Sequence, residues 1–130
     1  MAAKEKNLLA LRRLHLVRDY INLMKAVESG MDQYRFLLSK TKSIIGVSAA
    51  SALSIDYREL EPTRKVESNG RMFEMVNQNE ASNRPFVPFG VLEPMPVKQA
   101  RKTIDILLPR LAELATIQNE IKHIEAQLAN

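Results

Sequence analysis

The chain of 130 residues is 45% hydrophobic and 26% charged, which suits one folded domain and excludes disorder along its whole length. Because it has no cysteine, disulfides and thiolate metal sites are excluded. No apolar run approaches the roughly 18 residues of a membrane span, and the charged start is unlike a secretory signal, so we expect a cytoplasmic protein without a membrane partner. The net charge of +4 forms no dense basic stripe, so we do not expect nucleic-acid binding.

Residues 4–45 have the pattern of one long amphipathic helix. Apolar side chains recur at steps of three and four, the spacing of one helix face: Leu16, Tyr20, Leu23, Val27, Met31, Tyr34 and Leu38. A second set widens that face and predicts contact with more than one neighbour: Leu9, Leu14, Val17, Ile21 and Met24. Gly30 could end a first helix, but the spacing stays in phase across it. We therefore predict a continuous helix that stops at Gly46.

Residues 97–128 form the second predicted helix. Its apolar face has a similar rhythm: Ile104, Leu107, Leu111, Leu114, Ile117, Ile121, Ile124 and Leu128. Pro96 suits the first helical turn, where a backbone N–H has no partner within the helix. Pro109 lies inside the pattern, removes one backbone hydrogen bond and crowds the carbonyl of Asp105, which predicts a kink. A fresh helix beginning at Pro109 is the alternative, but the face stays in phase.

Residues 46–95 hold four of the six prolines, which favours loops and short strands over a helix. The strongest local signal is Asn69-Gly70, because Asn-Gly accepts the positive φ angles of a type I′ turn. This dipeptide predicts a β-hairpin between its two flanking segments. The alternating pattern over 53–57 and the run at 86–92 are further candidate strands.

These elements predict an α+β fold: two long antiparallel terminal helices, the second kinked at Pro109, flanking a small antiparallel β insert in one domain of residues 1–130. The first helix would extend about 57 Å at 1.5 Å per residue. Its wide apolar face exceeds what one partner helix covers, so we expect a homo-oligomer. In layout alone, the order of helix, β insert and helix resembles prefoldin-type chaperone subunits, whose paired helices form coiled-coil arms, and central-stalk subunits of rotary ATPases. No motif residue is carried over from either family.

Residue patterns that support catalysis are sparse. Ser48 lacks the second glycine of a Gly-x-Ser-x-Gly elbow, and the four glycines stand too far apart for a phosphate-binding loop. Glu120 and His123 have the Glu-x-x-His spacing of helical di-iron sites, but such sites need two copies and two further carboxylates. We therefore expect no enzyme, no metal and no cofactor.

One charge arrangement indicates a ligand. Lys98 and Arg101 near the start of the second helix oppose its macrodipole, which an anion docked on the free N–H groups would offset. If the β insert lies at that end, its arginines could pair with a phosphate and its phenylalanines could stack on a base. The candidate ligand-binding residues are Arg58, Arg71, Phe73, Arg84, Phe86, Lys98 and Arg101. The alternative is a set of solvated charges above a small core that contains the phenylalanines.

Three functions follow, in order of preference. The first is a non-enzymatic homo-oligomeric binding protein, whose helices assemble and whose middle segment holds a protein partner through apolar side chains (Met72, Met75, Phe86 and Phe89). The second is a protein that sequesters or senses a small anionic, nucleotide-like ligand. The third is a structural subunit of a larger particle.

Overall fold

The computed structural model describes residues 2–46, 64–77 and 94–130, and it confirms the predicted α+β fold. In chain order the elements are α1 (Ala3–Ile45), β1 (Arg64–Ser68), β2 (Phe73–Asn77) and α2 (Met95–Ala129). The candidate strands at 53–57 and 86–92 lie outside the described residues.

The first helix, α1, is continuous through Gly30 and stops at Gly46, and both predictions are confirmed. Gly46 has a φ of 91°, and its N–H donates a 2.9 Å hydrogen bond to the carbonyl of Lys42. A helix can end this way because glycine adopts positive φ without steric cost. A β-carbon at Gly30 would stand only 2.4 Å from Leu107 Cδ2 of α2. Gly30 therefore permits a close approach of the two helices.

The second helix, α2, begins at Met95, two residues before the predicted start, and Pro96 lies in its first turn. The N–H of Val97 donates a 3.1 Å hydrogen bond to the carbonyl of Pro94, which closes that turn. The helix is unbroken through Pro109, so no fresh helix starts there. The kink at Pro109 stays a prediction. Within the described residues, neither helix has an 18-residue stretch apolar enough to cross a membrane.

The two helices are antiparallel, as predicted. Arg13 near the start of α1 forms a 2.8 Å ion pair with Glu125 near the end of α2, whereas Gly30 further along α1 meets Leu107 in the first half of α2. The buried apolar side chains of the described residues are Val27, Leu37, Val97, Ala100, Leu107, Ala112, Leu114 and Ile124. Most lie between the helices, so this seam is the main core.

The predicted hairpin is present, but its turn differs from the expected type I′. The register pairs Ser68 with Phe73, and the N–H of Asn69 donates to the carbonyl of Met72. Gly70 has a φ of 93°, while its neighbours have no positive φ, which is the pattern of a type II′ turn with glycine at the first central position. The reason is the Asn69 side chain. Its Oδ1 accepts a hydrogen bond from the N–H of Met72 at 2.8 Å. Asn69 therefore stands before the two central residues of the turn instead of being one of them.

The hairpin lies along α2 instead of at the joined end of the helices, which is the arrangement that would have brought its arginines to Lys98 and Arg101. Arg64 Nη2 donates to Asp105 Oδ1 at 2.7 Å, and the N–H of Phe73 donates to Thr116 Oγ1 at 2.9 Å. Beyond them, Asn119 Nδ2 donates to the carbonyl of Gly70 at 3.1 Å. The hairpin tip therefore points toward the C-terminal end of α2. Polar side chains of α2 determine this direction because they satisfy backbone groups of the strand and turn.

Candidate functional site

The structure does not bring the described members of the predicted ligand site together. Lys98 and Arg101 lie in the first two turns of α2. Arg71, at the hairpin tip, contacts His123 near the other end of that helix. At 1.5 Å per residue, His123 lies about 33 Å along the axis from Arg101. The other arginines and one phenylalanine of that site lie outside the described residues: Arg58, Arg84 and Phe86.

Phe73 is half-buried at the start of β2 and anchors the hairpin on α2. Its N–H donates to Thr116 Oγ1, and the Thr116 hydroxyl is also within hydrogen-bond distance of the Ala112 carbonyl, at 3.0 Å. Because its position is determined by packing on α2, Phe73 serves the hairpin core in this structure. This placement matches the alternative we considered for the phenylalanines.

A different set of cations converges on a cleft of about 560 Å³ between the hairpin tip, the start of α1 and the end of α2. The polar side chains of the described residues that line it are Arg12, Arg71, Asn119, Glu120, Lys122, His123 and Gln127. Leu9 and Ile124 contribute apolar surface beside them. Three elements therefore supply one basic cleft, and two of its three cations were not among the predicted site residues.

Inside the cleft, the three cations differ in their contacts. Arg71 Nη2 lies 2.6 Å from His123 Nε2. Since a guanidinium has no acceptor, the imidazole accepts here and carries its proton on Nδ1. Arg12 lies 3.8 Å from Glu120, and both side chains are exposed, so this pair stabilises little. Among the described residues, Lys122 has no ion-pair partner. The cleft thus holds three cations and one carboxylate.

Four other arginines of the described residues each have one carboxylate within 3.8 Å: Arg13, Arg18, Arg35 and Arg64. In that one-to-one arrangement the local charge is close to neutral. In the described lining of the cleft, one carboxylate, Glu120, faces three cations. This local excess of positive charge attracts anions.

Four large apolar side chains near the start of α1 form an exposed stripe. Leu8 is 61% exposed, Leu11 54%, Leu14 61% and Ile21 48%. Their spacing of three, three and seven places them on one side of the helix, away from the seam with α2. An ordered apolar row is less usual on a monomer surface than scattered single residues. We call this row the α1 stripe.

A second apolar surface lies on the hairpin. Met72 is 47% exposed and Val66 is 56% exposed. Met72 also borders an open groove of about 420 Å³ between the hairpin and α2, together with Met75 and Pro109. The sequence named Met72 and Met75 as partner-binding residues, and the structure places both at this groove.

Metal-binding groups do not cluster in the described residues, since no three His, Asp or Glu side chains there could hold one ion. Glu120 and His123, which have metal-ligand spacing in the sequence, lie beside Arg12 and Arg71 respectively. Sequence reasoning missed Arg12 and Lys122 because they lie on different helices. Only the antiparallel pairing and the direction of the hairpin bring them together with Arg71.

Comparison of the sequence with protein-family models finds no match, and comparison with curated proteins also finds none. The geometry of the α1 stripe, the hairpin groove and the basic cleft is therefore the basis for function.

Proposed function

We propose that this chain is a non-enzymatic interaction protein that self-associates through α1 and uses its hairpin surface to hold a protein partner. The observation that carries the proposal is the α1 stripe, in which four large aliphatic side chains are each about half exposed or more. Apolar side chains need no complementary charge, so the same stripe on two copies can pack against itself about a two-fold axis.

The free energy gained by burying the α1 stripe is comparable to the cost of association, which indicates a reversible complex. Full burial of one leucine or isoleucine contributes about 1.5–3 kcal/mol, so covering a half-exposed side chain contributes about 1 kcal/mol. Four such residues on each of two copies give about 8 kcal/mol, which is within the range of the roughly 4–15 kcal/mol that association costs in lost freedom. The flanking aliphatic portions of Arg18 and Lys25 would add contact area. The expected complex is therefore concentration-dependent.

The hairpin supplies the second surface of the proposal. Met72 and Val66 are exposed, and methionine adapts to partners of irregular shape because its side chain is unbranched and polarizable. The groove beside Met72 is open and shallow, which suits a protein surface better than a small enclosed ligand. Assembly and partner binding would then use different sides of the molecule.

Light scattering after size-exclusion chromatography tests the assembly. The wild-type chain should elute as an oligomer at high concentration and shift toward a monomer on dilution. Leu11→Lys and Leu14→Lys together should give a monomer at all concentrations, because a buried lysine pair in the interface would be desolvated without partners. Both positions are exposed, so the helical circular dichroism should be retained.

The double variant Gln99→Lys and Gln118→Lys is the matched control, because it also adds two positive charges, at exposed positions of α2. It should leave the oligomer unchanged. A wild-type chain that is monomeric at high concentration would contradict the proposal. So would a variant with Leu11→Lys and Leu14→Lys that assembles as the wild type does.

A further inference from the structure

We propose that the basic cleft formed by Arg12, Arg71 and Lys122 is a binding site for a small phosphorylated compound. It lies about 33 Å along α2 from Arg101, which belongs to the helix start that the sequence indicated for an anion. The inference does not depend on self-association, since the cleft is built within one chain from α1, α2 and the hairpin tip.

The charge balance is the first step of the argument. Among the described residues that line the cleft, three cations face one carboxylate, Glu120, which lies 3.8 Å from Arg12 and leaves Arg71 and Lys122 without a carboxylate partner there. Cations held at one cleft repel each other, and solvent screening reduces this repulsion without removing it. A bound dianion would offset this repulsion between the cations. It would also give an ion-pair partner to Lys122, which has none among the described residues. The cleft is therefore electrostatically complementary to an anion.

The donor geometry favours phosphate among anions. Arg71 uses one guanidinium N–H on His123 and keeps further N–H donors, which can pair with two oxygens of one phosphate. Two contacts hold the arginine in place. His123 holds its side chain, and Asn119 holds its backbone by donating to the carbonyls of Gly70 and Arg71 at 3.1 and 3.3 Å. This support reduces the entropy lost when a ligand binds.

The size and lining of the cleft indicate the rest of the ligand. A volume of about 560 Å³ lies within the range of small-molecule sites. Among the described residues no Phe, Tyr or Trp lines the cleft, so this part of the chain offers no aromatic platform for a nucleobase. Leu9 and Ile124 provide a limited apolar wall. A compact polyphosphate or a phosphorylated metabolite fits these features better than the nucleotide-like ligand that the sequence suggested.

Isothermal titration with inorganic pyrophosphate tests the site, using the full chain in metal-free buffer at constant ionic strength. The wild type should bind at a single class of sites. Lys122→Gln and Arg71→Gln should each weaken binding about tenfold or more, because each removes one charge-assisted contact. Lys122 is exposed and has no ion-pair partner among the described residues. Its variant therefore tests ligand binding with less effect on the fold than Arg71→Gln. Thermal melting followed by circular dichroism would verify that both variants fold.

Lys98→Gln is the matched control, since it removes the same charge at the start of α2. It should bind pyrophosphate as the wild type does. The proposal is overturned if the wild type does not bind, if Lys122→Gln binds as tightly as the wild type, or if Lys98→Gln weakens binding equally. An equal loss in Lys98→Gln would mean that the affinity reflects the overall charge of the protein. A loss confined to Lys98→Gln would place the anion at the start of α2 instead.

Discussion

At the scale of single residues, Gly30 shows how packing outweighs helix propensity. Glycine costs about 1 kcal/mol relative to alanine in a helix interior. In this chain the position faces Leu107, which is 2% exposed, and any β-carbon would meet the leucine side chain at 2.4 Å. Because Leu107 is buried on all sides, it has little room to turn away. Glycine therefore occupies position 30 of α1, although it is a poor helix former, because a larger residue would collide with Leu107 of α2.

Gly30→Ala should accordingly destabilise the fold by about 1–2 kcal/mol, since overpacking of roughly 1–3 kcal/mol exceeds the gain in propensity. Urea denaturation followed by circular dichroism at fixed protein concentration measures this change. Ser29→Ala, at an exposed position of the same turn, should change stability by less than about 0.5 kcal/mol.

A second variant separates the steric clash from other effects of Gly30→Ala. With Leu107→Ala in the same chain, the combined loss should be smaller than the sum of the two single losses, because the alanine at 30 fills part of the cavity. A Gly30→Ala chain that is more stable than the wild type would show that the helices can move apart at little cost.

At the scale of elements, two faces of α2 pack against other parts of the chain. The apolar periodicity of the sequence predicted only one of these faces. Leu107, Leu114 and Ile124 face α1 and are buried, as their spacing predicts. The hairpin packs on another face, which the apolar pattern does not mark because its residues are small or polar: Asp105, Pro109, Ala112, Thr116, Asn119 and His123. These positions also recur at steps of four and three. A polar face of this kind is indistinguishable in sequence from one that faces water.

Pro109 lies on this hairpin face, and we predict that Pro109→Ala stabilises the chain by about 1–2 kcal/mol. Alanine restores the N–H that the carbonyl of Asp105 lacks, and a proline in a helix interior costs about 3 kcal/mol. Pro109 and Met75 line the same groove, so the smaller alanine side chain covers less apolar surface there, which offsets part of this gain. Chemical denaturation gives the difference in unfolding free energy.

Pro94→Ala is the control for this test, because Pro94 occupies the N-cap of α2, where a proline removes no helical hydrogen bond. It should change stability little. A clear loss of stability in Pro109→Ala would mean that the proline ring contributes more through packing against the hairpin than it costs in the helix.

At the scale of the whole molecule, the fold is elongated. With 43 residues, α1 is about 64 Å long at 1.5 Å per residue. A compact domain of this chain length has a radius of gyration of about 14 Å and a diameter of about 36 Å, so α1 alone is longer than such a domain is wide. An elongated helix pair has a narrow seam, so much of its apolar surface stays in contact with water. The α1 stripe is the clearest part of this uncovered surface.

If self-association covers the stripe, the melting temperature should rise with protein concentration, because only the folded chain binds its copy. Differential scanning calorimetry over a dilution series measures this dependence. The variant with Leu11→Lys and Leu14→Lys should melt at one temperature throughout the series. A wild-type melting temperature that does not depend on concentration would argue for a stable monomer.

The sequence by itself determined the two helices, their antiparallel pairing, the stop at Gly46 and the existence of the hairpin. These features depend on local spacing and on the backbone preferences of glycine and asparagine, which are readable along the chain. The turn type was not readable, because it depends on which backbone groups the Asn69 side chain meets. Only the tertiary structure decided that the hairpin lies along α2, and hence that Arg71 joins Arg12 and Lys122. The hydrogen bonds that Thr116 and Asn119 form with the strand and the turn select that direction. Contacts between distant segments of the chain leave no periodic pattern in the sequence.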